Sequence, residues 1–229
     1  MRAPSITIVA ASRGIRPVFT AQSAPALPFS TSFPNTENPV SLDGLLLNGG
    51  TDGLDWQDMR ATPGKCFATG FSADFDDPIC CIKPGVYDFS GNHYIEGVIG
   101  RQAGYAPDDN HELELHLCCN ITANSIVTVE TLINTQGGGQ MVAWNGPVND
   151  ITSQSPSGPG FTTPADGDVI RVTKIGNTFT VKQNSTTAYT LTLSGRSGQP
   201  GWAAFVRNFP DGDAVLANFW WKSITVVAL

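Results

Sequence analysis

The chain has 229 residues, enough for one large all-β domain or two small ones. Hydrophobic residues make up 41% and charged residues 14%, which excludes charge-driven disorder, and 24 Gly and 16 Pro without a regular period exclude collagen and argue against long helices. Thirteen basic against twenty acidic residues give a net charge of −7, which lacks the basic footprint that neutralises phosphates, so no nucleic-acid partner is expected.

Residues 1–32 carry Pro4, Pro17, Pro25 and Pro28, many Ala and Ser, and one β-prone run at residues 5–9. Such a segment cannot bury a core of its own, so it reads as an extended N-terminal arm that gains order by packing on the domain or on a neighbouring subunit. Its apolar run, residues 6–11, is shorter than a signal-peptide core and is followed by Arg13 and Arg16, so no secretion signal is expected. No run approaches the roughly eighteen apolar residues of a membrane-spanning helix, and no membrane partner is expected.

Residues 33–229 read as one domain. Short runs of β-branched and aromatic residues alternate with Gly, Pro, Asn and Asp, and the clearest strands are 93–100, 112–119, 126–133, 169–175, 178–183, 189–193 and 214–227. Gly176 and Asn177 separate two of them, with Gly where a type II′ hairpin turn needs positive φ. Asp166, Gly167 and Asp168 make a turn before the strand from Val169, and residues 197–201 force a bend before the next apolar run. No apolar repeat of helical period and no internal sequence repeat is visible.

The order of several segments resembles the concanavalin A-like lectin and glucanase sandwiches, specifically the LamG-like modules of bacterial and phage-encoded proteins. They are Phe33-Pro-Asn-Thr-Glu-Asn-Pro39, Gly53-Leu-Asp-Trp56, Tyr94-Ile-Glu-Gly97, Glu112-Leu-Glu-Leu-His116, Val142-Ala-Trp-Asn-Gly-Pro147, Asp166-Gly-Asp-Val-Ile-Arg171, Gly176-Asn-Thr-Phe-Thr-Val181 and Ser197-Gly-Gln-Pro-Gly201. The resemblance implies an all-β, two-sheet antiparallel jelly-roll sandwich with one sheet curved into a surface that often holds sugars. Where similar modules carry Gly after Asn in the next hairpin, this chain has Asn184-Ser185-Thr186.

Strand alternation places Glu112, Glu114 and His116 on one face and Leu113, Leu115 and Leu117 on the other. Retaining glucanases of the similar architecture carry their acid and nucleophile on such a strand. Here the middle acid is Glu and His116 stands where the second end carboxylate is expected, so no catalytic residue and no enzyme activity is assigned. The commonest state of such a face is solvated. Where it binds, Glu112, Glu114 and His116 are the expected glycan or partner contacts, joined by Trp144 among the tryptophans. Trp220 and Trp221 fall on opposite faces of the last strand, so at least one of them is expected to face outward.

Asp74, Asp76 and Asp77, and Asp108, Asp109 and Asn110, lack the spacing of a calcium loop and read as turn residues, so no metal is expected. No nucleotide, flavin or zinc-protease motif is present, and no cofactor is expected. Cys66, Cys80, Cys81, Cys118 and Cys119 read as small buried hydrophobes, with a cross-strand disulfide between the two adjacent pairs left open. Three functions follow. The leading one is a virion structural protein, a head decoration, fibre or tail-associated component, held to capsid or tail proteins by the arm as part of an oligomer or larger assembly and contacting host-surface glycans. The others are an exported, extracellular carbohydrate-binding module and a polysaccharide hydrolase using Glu112 and Glu114.

Overall fold

The computed structural model describes residues 28–51, 56–70, 77–105, 111–122, 125–146, 150–206 and 217–229. Fifteen strands and no helix occur among them: β1 Phe29–Thr31, β2 Leu46–Asn48, β3 Met59–Thr62, β4 Lys65–Ala68, β5 Ile79–Ile82, β6 His93–Arg101, β7 His111–Thr122, β8 Ser125–Asn134, β9 Gly139–Gly146, β10 Ile151–Ser153, β11 Val169–Ile175, β12 Thr178–Gln183, β13 Thr186–Thr192, β14 Gln199–Val206 and β15 Phe219–Ala228. Every expected strand is present, and the interior ones lie within a few residues of their sequence-based bounds. The last starts at Phe219, and its expected residues 214–216 lie outside the described set.

All strand pairs are antiparallel. One sheet runs β13-β12-β11-β6-β15-β4-β3 with β1 also on β15, and the other runs β10-β9-β8-β7-β14-β5-β2. Strand β1 comes from the segment read as an arm. Phe29 pairs with Val226 and is buried, so the sandwich already includes residues 29–31, while residues 1–27 lie outside the described set.

Turn chemistry agrees with the sequence. Gly176 has φ +57 between β11 and β12. In the next hairpin Asn184 takes φ +54 itself, and its side chain accepts from the Val169 N–H at 3.0 Å and donates to Asp168 at 3.1 Å. Asparagine tolerates this left-handed conformation because its short polar side chain hydrogen-bonds locally.

Between the sheets, Ile95 and Ile99 of β6, Leu113, Leu115 and Leu117 of β7, Val129 and Ile133 of β8, Trp202 of β14 and Ile224 of β15 belong to one buried cluster. Trp221 lies over Gly97, where an added Cβ would sit 2.4 Å from the indole, so only glycine admits this packing. Trp220, expected as one of the two outward candidates, is only 7% exposed and carries the Lys65 ammonium 3.9 Å from its ring centre.

A second buried cluster joins Trp56, Ile79, Cys81, Cys119, Ile126, Val142, Trp144 and Ala203. Its residues on β8 and β14 alternate with inter-sheet residues, so it covers the outer face of the seven-stranded sheet. That sheet is dry on both sides near its middle. The cysteines follow the same rule: Cys80 and Cys118 join the inter-sheet cluster, and Cys81 and Cys119 join the outer one. All five are free and buried, so the disulfide left open above is not formed, although the Cys81 and Cys119 thiols lie within hydrogen-bonding reach of each other across β14. Burial pushes the Cys66 thiol up to about 12 and the Cys118 thiol to about 11.

Candidate functional site

The outer face of the seven-stranded sheet holds a cavity of about 240 Å³. Strand β7 brings Glu112 and Glu114, β8 brings Glu130, β9 brings Gln140, Val142 and Trp144, and Asp77 enters just ahead of β5. Of the residues singled out from the sequence, Glu112, Glu114 and Trp144 meet here. His116 lies behind the wall, fully buried, with Nε2 3.0 Å from Glu114 Oε2.

The solvated face expected for this strand is not what the fold makes. Glu114 is 1% exposed and His116 not at all, because the second cluster covers the sheet beside them. Burial and the nearby Glu112 charge hold the Glu114 carboxyl well above its usual range. Burial drives the His116 imidazole down to about 4, against the Glu130 charge that favours protonation. Burial, then the Glu114 charge, also raises Glu130, opposed by His116 and by the Trp144 N–H.

These directions and the hydrogen bonds give one consistent state. The Thr128 hydroxyl donates to the Leu117 carbonyl at 3.2 Å and accepts from His116 Nδ1 at 3.3 Å. The proton of the neutral imidazole is therefore on Nδ1, and Nε2 accepts from the protonated Glu114 carboxyl. Although its groups could form an ion pair, the 3.0 Å contact is a hydrogen bond between two neutral groups, because both are desolvated and both shift toward neutrality. Glu130 accepts from Trp144 Nε1.

Glu130 is an acidic cavity residue that sequence reasoning passed over. It sits in a run recognised as a strand, and alternation puts it on the face opposite Val129. Only the strand register shows that it stands directly across from His116. Glu114, His116 and Glu130 have donor atoms that all lie within 4.8 Å of one another. Asp77, read as a turn acid, is 5% exposed and lines the cavity, whereas Asp74, Asp76, Asp108, Asp109 and Asn110 lie outside the described residues.

No protein-family model matches the chain, and no curated protein matches it in sequence. Solved structures do. The carbohydrate recognition domain of Emp47p aligns at 13% identity over 87% of this chain and 94% of its own, with a TM-score of 0.55. A β-glucanase of Bacillus licheniformis aligns at 11% identity over 88% and 98%, TM-score 0.53. The CBM2 module of an evolved Dit of Lactobacillus casei BL23 phage J-1 aligns at 12% over 88% and 95%, TM-score 0.50. At such identities the likeness is one of fold, and with the two antiparallel sheets it makes the chain a concanavalin A-like jelly-roll sandwich of the lectin and glucanase architecture.

Proposed function

We propose that the chain is a non-enzymatic, lectin-like module that binds a carbohydrate in the cavity on the outer face of its seven-stranded sheet. The observation that carries this reading is the lining. Glu112, Glu114, Glu130, Asp77 and Gln140 offer hydrogen-bonding groups opposite Val142, Trp144, Ile151, Leu132 and Phe205. A sugar ring presents the same mixture of hydroxyls and apolar C–H faces. The volume is a little below the roughly 300–1,000 Å³ of typical small-molecule sites, which suits a single sugar unit.

A glycan array on the isolated chain, followed by titration of the best binder, tests the proposal. Binding at millimolar sugar or tighter, weakened about tenfold by Glu112→Gln through loss of a charge-assisted hydrogen bond, is the expected result. No binding to any sugar at millimolar concentration overturns it.

We further read the module as displayed on a virion by its N-terminal segment, a reading supported by the Pro- and Ala-rich composition of residues 1–32 and the low charge density. Since Phe29 is part of the sandwich, the deletion that tests attachment is residues 1–27. Unchanged incorporation of the shortened chain into particles removes that role.

The second reading, a glycoside hydrolase, is favoured by Glu112 and Glu114 lining one cavity, with Glu130 adding a carboxyl from the next strand. Against it, His116 occupies the third position and lies outside the cavity lining. Loss of product release in both Glu112→Gln and Glu114→Gln supports hydrolysis, and activity retained in both dismisses those roles.

A further inference from the structure

We propose that Glu114, His116 and Glu130 form a binding site for one divalent first-row metal ion of the zinc type at the inner wall of the cavity, a site that does not require the cavity to take a sugar. Geometry brings the ligands together. His116 and Glu130 are directly paired across β7 and β8, Glu114 is two residues from His116 on the same face, and all donor atoms lie within 4.8 Å. A tetrahedral shell with bonds of about 2.1 Å places its donors about 3.4 Å apart, so closure from a span of at most 4.8 Å needs a contraction of up to about 1.4 Å, within reach of rotating the glutamate side chains.

The outer partners are already in place. A metal-ligating imidazole normally donates its other N–H to a fixed acceptor, and here His116 Nδ1 donates to Thr128, whose hydroxyl is anchored on the Leu117 carbonyl. This orientation turns the Nε2 lone pair toward a carboxyl group. Glu130 is oriented in the same manner by Trp144 Nε1.

The donor set selects the ion. One imidazole and two carboxylates suit zinc and its first-row neighbours, whereas calcium and magnesium prefer oxygen-only shells. A dication also balances two carboxylates that burial otherwise penalises. Because Glu114 and Glu130 both line the cavity, an ion held by them has an entry path and an open fourth position for water.

The test uses the full-length chain, kept reduced and freed of metal with a chelator, then titrated with zinc and separately with cobalt. The expected result is one zinc per chain with a Kd of about 1 μM or tighter. Cobalt is expected to give the visible bands of a nitrogen and oxygen site without thiolate charge transfer, which separates this site from the five cysteines. His116→Gln and Glu130→Gln should weaken zinc at least a hundredfold, and Thr128→Val about ten- to a hundredfold. Far-UV circular dichroism checks each fold, and should the two ligand variants unfold, Thr128→Val and the wild-type cobalt spectrum decide. A folded wild-type chain that takes up no stoichiometric zinc at about 100 μM, affinity undiminished in folded variants, or a thiolate band from cobalt overturns the proposal.

Discussion

Strands β6 and β7 sit inside opposite sheets and share one sequence habit, apolar residues alternating with polar ones, yet their outer faces differ. On β6, Ile95 and Ile99 are buried while Tyr94, Glu96 and Val98 are half-exposed. On β7, Leu113, Leu115 and Leu117 are buried and so are Glu114 and His116. The acid on β6 finds a surface partner, Arg171, at 2.7 Å, and that guanidinium also stacks on Tyr94 at 4.3 Å. The acid on β7 finds a neutral imidazole away from water. Alternation therefore reports which residues share a face, and a second layer of side chains decides whether that face is wet.

The comparison can be broken most severely from the apolar side of β7. Leu115→Ala should cost about 2–5 kcal/mol in urea unfolding, since it opens a hole between two packed sheets. A cost under about 1 kcal/mol would mean that the inter-sheet packing is looser than described.

On the other face of the same sheet, Glu130→Ala removes the carboxyl to which Trp144 Nε1 donates, and should cost about 1–3 kcal/mol. No loss of stability there would show that the buried polar cluster does not hold the sheet.

The pH dependence of the metal-free chain sharpens the contrast. Glu114 and Glu130 hold their protons in the folded state above the ordinary value of 4.5, where the unfolded chain has released them. The folded state binds more protons over that interval, so these two groups make stability fall as pH rises from about 4.5. His116 acts in the opposite sense. Its folded value of about 4 lies below the ordinary 6.5, so its contribution rises between those limits and is complete above them. Urea midpoints between pH 5 and 8 should decline in the wild type, and the double variant Glu114→Gln/Glu130→Gln should lose that decline. A decline of equal slope in the double variant would place its origin elsewhere.

The smallest effect belongs to β6. Glu96→Gln should change stability by less than about 1 kcal/mol and lose even that in high salt, because the Arg171 pair is partly exposed. A larger, salt-resistant cost would erase the distinction between the two outer faces.

Much of the fold was legible along the chain. Period-two runs bounded by turn residues located seven of the fifteen strands, Gly176 marked a hairpin, and the Leu113, Leu115, Leu117 row named the inward side of β7. Half of the candidate site was legible as well, since Glu112, Glu114 and His116 stand on one face by alternation alone, and Trp144 was singled out. Glu130 and Asp77 were not. Glu130 has no sequence neighbour that identifies it, and its position follows from hydrogen-bond register between two strands. Asp77 reads as an ordinary turn acid until β5 carries it to the cavity wall.

The sequence by itself determined the all-β class and the strand faces, because period and turn propensity are local properties. Tertiary structure alone decided that the outer face of β7 is dry, that His116 retreats behind the cavity while Glu130 enters it, and which cysteines face the inter-sheet core. Each of those outcomes depends on which strand lies beside which and on what covers the sheet. Such contacts join residues far apart in the chain, where no local pattern records them.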